Sequence, residues 1–594
     1  MSNRIAEHLG PASEIWESRF PGAPGDELYE AGKREVDLYV RTYNTLLRSS
    51  GPVDVDVLEQ AHLNIESSLH SHARERRPDM NAFMYSTLRL PPEIVSVDLI
   101  LMSQSERIFA RYGYREILDW PAVSAPGRRR KWHYDGDDTL AVFVASSSDL
   151  DDLVPTIVAW QLEWNKMHRL IRDDEEFRSL VMHQVETEAD PESEDAQRVR
   201  AGLGIEPNDW SRLLDTWGDA FWETIGRIAA GKRDIKLQLL GGTYLGYTRA
   251  TANWWAPVEE LILEKRLRSR PIYFVSSNTH SLANILSGTA RRRREQIVDY
   301  IETGAHPELL PELEKLHAGD VRASWDNFLY YAARLYYRDY PEERGSRDRE
   351  ERERGIVTLE TESVIDVGAQ IIDISKLDPD DLDPRIVEAF GPVPETDAII
   401  VNINYPLGMA AYHILTQVAV TLENLQGVYV LGKAATLNAR IGDIMISDVV
   451  YDEHSENTYW FDNGFSNADL EPFLIYGAAL DNQRAITVRG TYLQNRGHLD
   501  FYYRENYTVA EMEAGPYLSA LYEETFMNRH PSGENLNLAG IPVDIGIIHY
   551  ASDTPYTRAQ TLGARGLSYY GMDSTYASSL AIIRRIFERC GTGR

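Results

Sequence analysis

After Ile356, short apolar runs alternate with segments of helical periodicity, and this alternation restricts the C-terminal part of the chain to few architectures. Residues 398–403, 427–431, 443–450, 485–488 and 543–550 read as buried strands, and 409–425, 509–524 and 574–589 as helices. Strands joined to helices by short connections build an α/β domain, here expected as a mixed, largely parallel sheet flanked by helices. Ligands of such sheets sit beyond the carboxyl ends of the strands, so the residues that follow each run carry the functional question.

The preceding residues follow another pattern. Segments 153–170 and 210–230 place apolar residues at three- and four-residue intervals, the period of an amphipathic helix. Two stretches, 140–153 and 271–286, pass from an apolar strand through small polar residues into a helix. The turns are Ser146-Ser147-Ser148-Asp149 and Ser276-Ser277-Asn278-Thr279-His280. Such a turn caps its helix in any fold, or presents free amides to an anion. Residues 341–354 are almost wholly charged and read as a solvated linker. The expected division is a mainly helical region with a few strands over 1–340, regulatory or for assembly, a linker over 341–354, and an α/β domain over 355–594.

Charge narrows the partners. With 92 acids against 61 bases the chain carries −31, a field that repels nucleic acid and anionic membranes. From Gly355 onward 32 acids face 15 bases, or −17, and the only lysines there are Lys376 and Lys433. Three basic clusters stand out, at 128–131, 266–270 and 291–294; they belong on a solvated surface unless an acidic face or a polyanion compensates them. The single cysteine, Cys590, forbids an internal disulfide, and neither a long apolar span nor an apolar leader is present, so a soluble cytoplasmic protein is expected. The 15 histidines show no metal-binding spacing, so no metal and no cofactor is expected. Tyr502, Tyr503 and Tyr507 read as core or interface rather than as a stacking platform.

The turns after the strands form a series. Asn404-Tyr405-Pro406-Leu407-Gly408 opens a helix, and Gly432-Lys433-Ala434-Ala435-Thr436-Leu437 precedes Arg440-Ile441-Gly442-Asp443-Ile444. Arg489-Gly490-Thr491, Glu511-Met512-Glu513-Ala514 and Ser552-Asp553 follow in order. This series resembles the nucleoside phosphorylase and nucleosidase superfamily, in which a glycine-rich turn precedes a "GDI" strand, a "ME" pair opens a helix, and "SD" closes a later strand. The resemblance covers 398–589, about a third of the chain.

The resemblance implies cleavage of the N-glycosidic bond of a purine nucleoside or nucleotide. By motif match Asp553 is the acid at N7 of the leaving base and Glu513 the anion that holds the ribose hydroxyls, with Met512 on the sugar. Gly408, Gly432, Lys433, Arg489 and Ser552 complete the substrate-binding set. Burial at a strand end would raise a carboxyl's pKa toward neutrality. Plainer uses exist: Asp553 as a cap before Thr554-Pro555, Glu513 as a favourable first-turn charge. Lys433 stands where the family has a small hydroxyl, and it either binds a phosphate as a point charge or pairs with an acid; Arg489 carries the same ambiguity.

The family's first strand and its glycine-rich loop have no clear equivalent in this sequence: 356–370 and the acidic stretch 378–383 look remodelled. Donors for a phosphate nucleophile are not visible, so hydrolysis is preferred to phosphorolysis. The alternative is a catalytically silent nucleotide-binding or scaffold protein. A separate N-terminal region before such a domain is the arrangement of AMP nucleosidases, and the C-terminal part is equally similar to methylthioadenosine/S-adenosylhomocysteine nucleosidases; residues 1–350 carry no signature of either. The resemblance also implies a homo-oligomer, because family pockets are commonly completed by a neighbouring subunit.

Overall fold

The computed structural model describes residues 24–554 apart from 50, 305, 307–308, 321 and 360–362, together with 560–561 and 569–591. The opening residues read above for a leader lie outside the described residues. Two mixed sheets organise the chain. The first comprises β1 (Val53–Asp54), β2 (Leu99–Ser103), β3 (Ala122–Ala125), β4 (Arg128–Tyr134), β5 (Thr139–Phe143) and β6 (Lys236–Leu239), in the order β1-β6-β2-β5-β4-β3. β5 is buried along its whole length and leads into the helix Ser147–Arg172. There Ser146 and Asp149 form a reciprocal capping box, so the first strand–turn–helix stretch is a cap. The single helix expected over 210–230 is two, Pro207–Trp217 and Phe221–Ala230, because Gly218 takes φ +50° between them.

The second sheet holds β7 (Ile272–Ser277), β8 (Ile356–Leu359), β9 (Ala369–Asp373), β10 (Ile399–Asn404), β11 (Leu425–Thr436), β12 (Ile444–Asp452), β13 (Asn457–Trp460), β14 (Ala479–Thr487), β15 (Val509–Glu511), β16 (Asn535–Asn537), β17 (Asp544–Thr554) and β18 (Gln560–Thr561). Its centre is parallel: β10 pairs β7, β7 pairs β11, and β11 pairs β17. The flanks are mixed, with β8–β9, β9–β10, β12–β13 and β12–β17 antiparallel, so the sheet is less parallel than expected. Helices Met409–Thr421 and Ala514–Thr525 cover one face, sharing an apolar cluster with Phe274, Val401 and Val430. The helix Tyr569–Gly591 covers the other, where Ile582 and Ile586 meet Tyr273 and Ile400.

Two expectations need correction. Residues 341–354 are no solvated linker: Pro341–Glu353 is a helix, Glu351 is buried, and Arg293 pairs with Glu343 and Glu350. A segment without apolar residues is ordered by the arginine cluster about fifty residues earlier, a partner invisible in the segment itself. Nor does the sheet begin after that segment. β7, inside the stretch assigned to the N-terminal region, is a central strand that pairs in parallel with both β10 and β11.

The basic clusters are compensated internally. Arg130 is buried against Asp149 and Asp152, Arg268 meets Glu423, Arg270 meets Asp373, and Arg291 donates to the carbonyls of Asp381 and Leu382. Among the described residues no helix is long and apolar enough to cross a membrane.

Candidate functional site

The parallel centre of the sheet brings four strand ends to one edge. Asn404 on β10 is in register with Ser277 on β7, Val430 on β11 with Ser276, and Ala435 on β11 with Asp553 on β17. β11 runs through what the sequence presents as a turn: Gly432–Thr436 are strand residues, with the register shifting between Ala434 and Ala435. Such an irregularity re-aims side chains at a sheet edge. Ser552 and Asp553 likewise lie within β17 rather than beyond it, and Ser552 Oγ donates to Asp553 Oδ2 at 2.7 Å.

Glu513 reaches this edge from the side. The stretch 509–524, expected as one helix, is instead β15, a two-residue break, and the helix Ala514–Thr525, with Glu513 as its N-cap. The break is held by Glu511, a buried carboxylate that accepts the N–H of Glu513 at 2.6 Å, the N–H of Ala514 at 2.8 Å and the hydroxyl of Thr487. Thr487 in turn accepts the N–H of Gly515 at 2.7 Å, and a Cβ at Gly515 would lie 2.6 Å from Asp452 Cβ. Only glycine permits that approach. Burial and then Asp452 push Glu511 up to about 7; burial and then Glu511 push Glu513 up to about 8, against the pull of Arg128 and Lys433.

Lys433 stands opposite. Its side chain is open to water, yet burial, then Arg128 and Arg89, lower its pKa, while Asp553 and Glu513 work the other way. Lys433, Glu513, Asp553 and Ser552 are thus brought together at the strand ends.

The remaining predicted residues serve other contacts. Arg489 pairs with Asp151 at 3.4 Å and Asp37 at 3.8 Å, both from the N-terminal half, so the ion-pair alternative describes it. Met512 packs on the cluster of Leu437, Val488 and Tyr502. Gly432 backs onto buried His549, whose ring carbon would lie 3.1 Å from an added Cβ. Gly408, at φ +53°, starts the helix Met409–Thr421 against Ser148, which accepts the Met409 N–H at 2.9 Å.

Sequence reasoning missed the contribution of β7 and of the N-terminal half. Tyr405 follows β10 at φ +20°, an unusual value for a residue with a side chain. Its phenol is pushed up to about 12 by burial, and its carbonyl accepts from Arg129 at 2.7 Å. A signal is present: the Ser276–His280 turn resembles the other strand–turn–helix stretch, but nothing in it points to strands 120 residues onward. Asn278 accepts the N–H groups of His280 and Ser281 at 3.0 and 2.7 Å, so this turn too is a cap. Among the described residues no group of three His, Cys, Asp or Glu side chains could hold a metal.

Strand ends gathered around a lysine and two carboxylates mark the carboxyl edge of this α/β sheet as the candidate site. The chain belongs to a family of unknown function, DUF6909, whose profile matches residues 55–588. No curated protein matches the sequence. Similar solved structures include a 5′-methylthioadenosine nucleosidase from Arabidopsis thaliana, at 10% identity, covering 55% of this chain and 98% of that one with a TM-score of 0.28. The 5′-methylthioadenosine/S-adenosyl homocysteine nucleosidase of Campylobacter jejuni is similar at 11% identity, over 54% and 100% of the two chains, with a TM-score of 0.28. A uridine phosphorylase from Schistosoma mansoni is similar at 12%, over 32% and 70%, with a TM-score of 0.23.

Proposed function

We propose that the chain cleaves the N-glycosidic bond of a purine nucleoside or nucleotide, with water as the preferred nucleophile. The observation that supports this reading is that Lys433 and Asp553 stand near the ends of neighbouring parallel strands, within electrostatic reach of Glu513, although the three are distant in sequence. In the reaction the bond from C1′ to the base nitrogen breaks, a bond from C1′ to a water oxygen forms, and the base leaves with a proton. Asp553 supplies or shares that proton on the base side. Glu513, ionised, holds the ribose hydroxyls and faces the cationic sugar as the bond opens. Its position at the head of a helix pinned by Glu511 is a rigid one, as such a role requires.

A second reading keeps the fold as a nucleotide-binding protein without turnover. It is supported by the turn after β7, Asn278-Thr279-His280, which offers no carboxylate to activate water. One assay separates the two. Purified protein is incubated with a panel of nucleosides and nucleotides, with and without phosphate, and free base is followed by chromatography. Base release supports the enzyme; saturable binding of the same compounds without release supports the silent protein and overturns the enzyme.

A further inference from the structure

We propose that the N-terminal half completes the cleft as a binding site for a tetrahedral oxyanion, with Arg89 and Arg128 facing Lys433 across the opening; this rests on the nucleoside or nucleotide reading above. In a chain of −31, arginines readily find acids: Arg130 has Asp149 and Asp152, and Arg489 has Asp151. Arg89 is different. It makes no ion pair among the described residues: its guanidinium stacks 3.3 Å above the Tyr85 ring, Nη1 donates to the Tyr85 carbonyl at 3.2 Å, and Nε is buried with no partner. Arg128 gives Nη2 to Asp152 at 2.8 Å, and its Nε is also buried and unpartnered. Lys433 makes no ion pair among the described residues either.

The backbone places these groups together. Gly127 donates its N–H to Leu88 O at 2.5 Å, which joins the two segments whose next residues are Arg128 and Arg89. A Cβ at Gly127 would lie 2.9 Å from that carbonyl, so the approach requires glycine. Arg129, next along β4, ties the strand to the carboxyl end of β10 through the carbonyls of Asn404 and Tyr405. β4 is thereby docked over the edge that carries Lys433. Arg89 and Arg128 both depress the Lys433 ammonium, which puts the three cations within electrostatic reach. Like charges held together by the fold, two of them with idle buried N–H donors, are relieved by an anion with several acceptor oxygens, and arginine forks suit phosphate geometry. Glu513 and Asp553 also lie within electrostatic reach of Lys433, so the anion sits beside the carboxylates.

One chemistry has two sources: the 5′-phosphate of a nucleotide, or free phosphate acting as nucleophile. The test uses the full chain with Arg89→Met and Lys433→Met, and Arg89→Lys as the charge-keeping control. Adenosine, inosine and guanosine with their 5′-monophosphates are the substrates, and inorganic phosphate is the free ligand. For a 5′-phosphate site, wild type prefers the nucleotide, and the nucleotide-to-nucleoside ratio of kcat/KM falls at least 10-fold in each Met variant and less in Arg89→Lys. For a free-phosphate site, phosphate accelerates base release from the nucleoside and yields a sugar phosphate, and the Met variants lose the acceleration. In either case phosphate or nucleotide raises the melting temperature of wild type, and the Met variants lose that response. Base release with the same ratio, phosphate response and melting shift in all variants overturns the anion site and leaves the proposed function standing. No base release from any substrate, with a phosphate-induced melting shift that the Met variants lose, overturns the proposed function and leaves the anion site. Should Arg89→Met fail to fold, Lys433→Met carries the same comparison.

Discussion

Glu511 accepts the backbone N–H of Glu513 at 2.6 Å, so one buried carboxylate fixes where the other stands. The two share a short segment and raise the cost of charge there, and Glu513 is pushed up to about 8 by burial first and Glu511 second. If Glu513 acts ionised, kcat/KM for base release climbs with pH to a plateau above about 8. Glu513→Gln removes that limb and lowers the rate roughly 10²–10³-fold. A pH–rate profile from 6 to 10 on both proteins is the check.

The same carboxyl sets a stability trend. Its folded pKa lies above the ordinary glutamate value of 4.5, so the folded state is favoured by the protonated form. That contribution is complete below about 4.5 and is lost as pH rises through about 8, at about 1.4 kcal/mol for each tenfold difference in proton affinity between the folded and unfolded chain. Thermal melting at pH 5 and pH 9 should show a smaller fall for Glu513→Gln than for wild type. An equal fall in both places the carboxyl in water.

Asp553→Asn keeps the shape and the hydrogen bond from Ser552 while removing the proton, so turnover should drop roughly 10²–10⁴-fold with melting nearly unchanged. Steady-state rates beside a thermal scan decide it. Wild-type turnover in this variant excludes Asp553 from the proton transfer.

Arg489 tests the opposite assignment. Its guanidinium faces nearly buried Asp151, and Arg489→Met leaves that carboxylate short of a partner. Denaturant melts should show a loss of about 2 kcal/mol. KM for the best substrate should stay within a factor of two. A large rise in KM without loss of stability returns Arg489 to the binding set.

The placement of β7 predicts that residues 355–594 alone do not fold. The fragment lacks the strand between β10 and β11, leaving both with an unpaired edge. Circular dichroism on heating should show no cooperative transition. A sharp melt would mean that the two strands close on each other.

The α/β character after Ile356 is legible because buried strands and amphipathic helices leave distinct periodicities, and the helix Met409–Thr421 and the strands 399–404 and 444–452 fall close to where the apolar runs place them. Glu513, Lys433 and Asp553 are legible as candidates because their motifs keep chain order. What sequence hides is pairing across distance. β7 lies in register with β10 more than 120 residues later, and an apolar run carries no mark of its neighbour. The helix Pro341–Glu353 has no apolar face to announce it, since its order comes from ion pairs with Arg292 and Arg293. The segments that carry Arg89 and Arg128 meet through one hydrogen bond between main-chain atoms of Gly127 and Leu88, which no side-chain pattern encodes.

The order of β7 in the chain also has a consequence for birth on the ribosome. Ile272–Ser277 is translated long before β10 and β11, so at about 5–20 residues per second it waits roughly 10–30 s for flanking strands. Through that interval an apolar strand has two open edges and two faces, the profile of a nascent segment that seeks wrong partners. Its own chain supplies early cover for one face: Trp254 and Trp255 leave the ribosome just ahead of it and, in the finished protein, share a buried cluster with Ile272 and Phe274. The opposite face, with Tyr273 and Val275, meets the helix Tyr569–Gly591, which is made long after it. Until that helix is made, the burden of keeping this face apart from other chains falls on the cell.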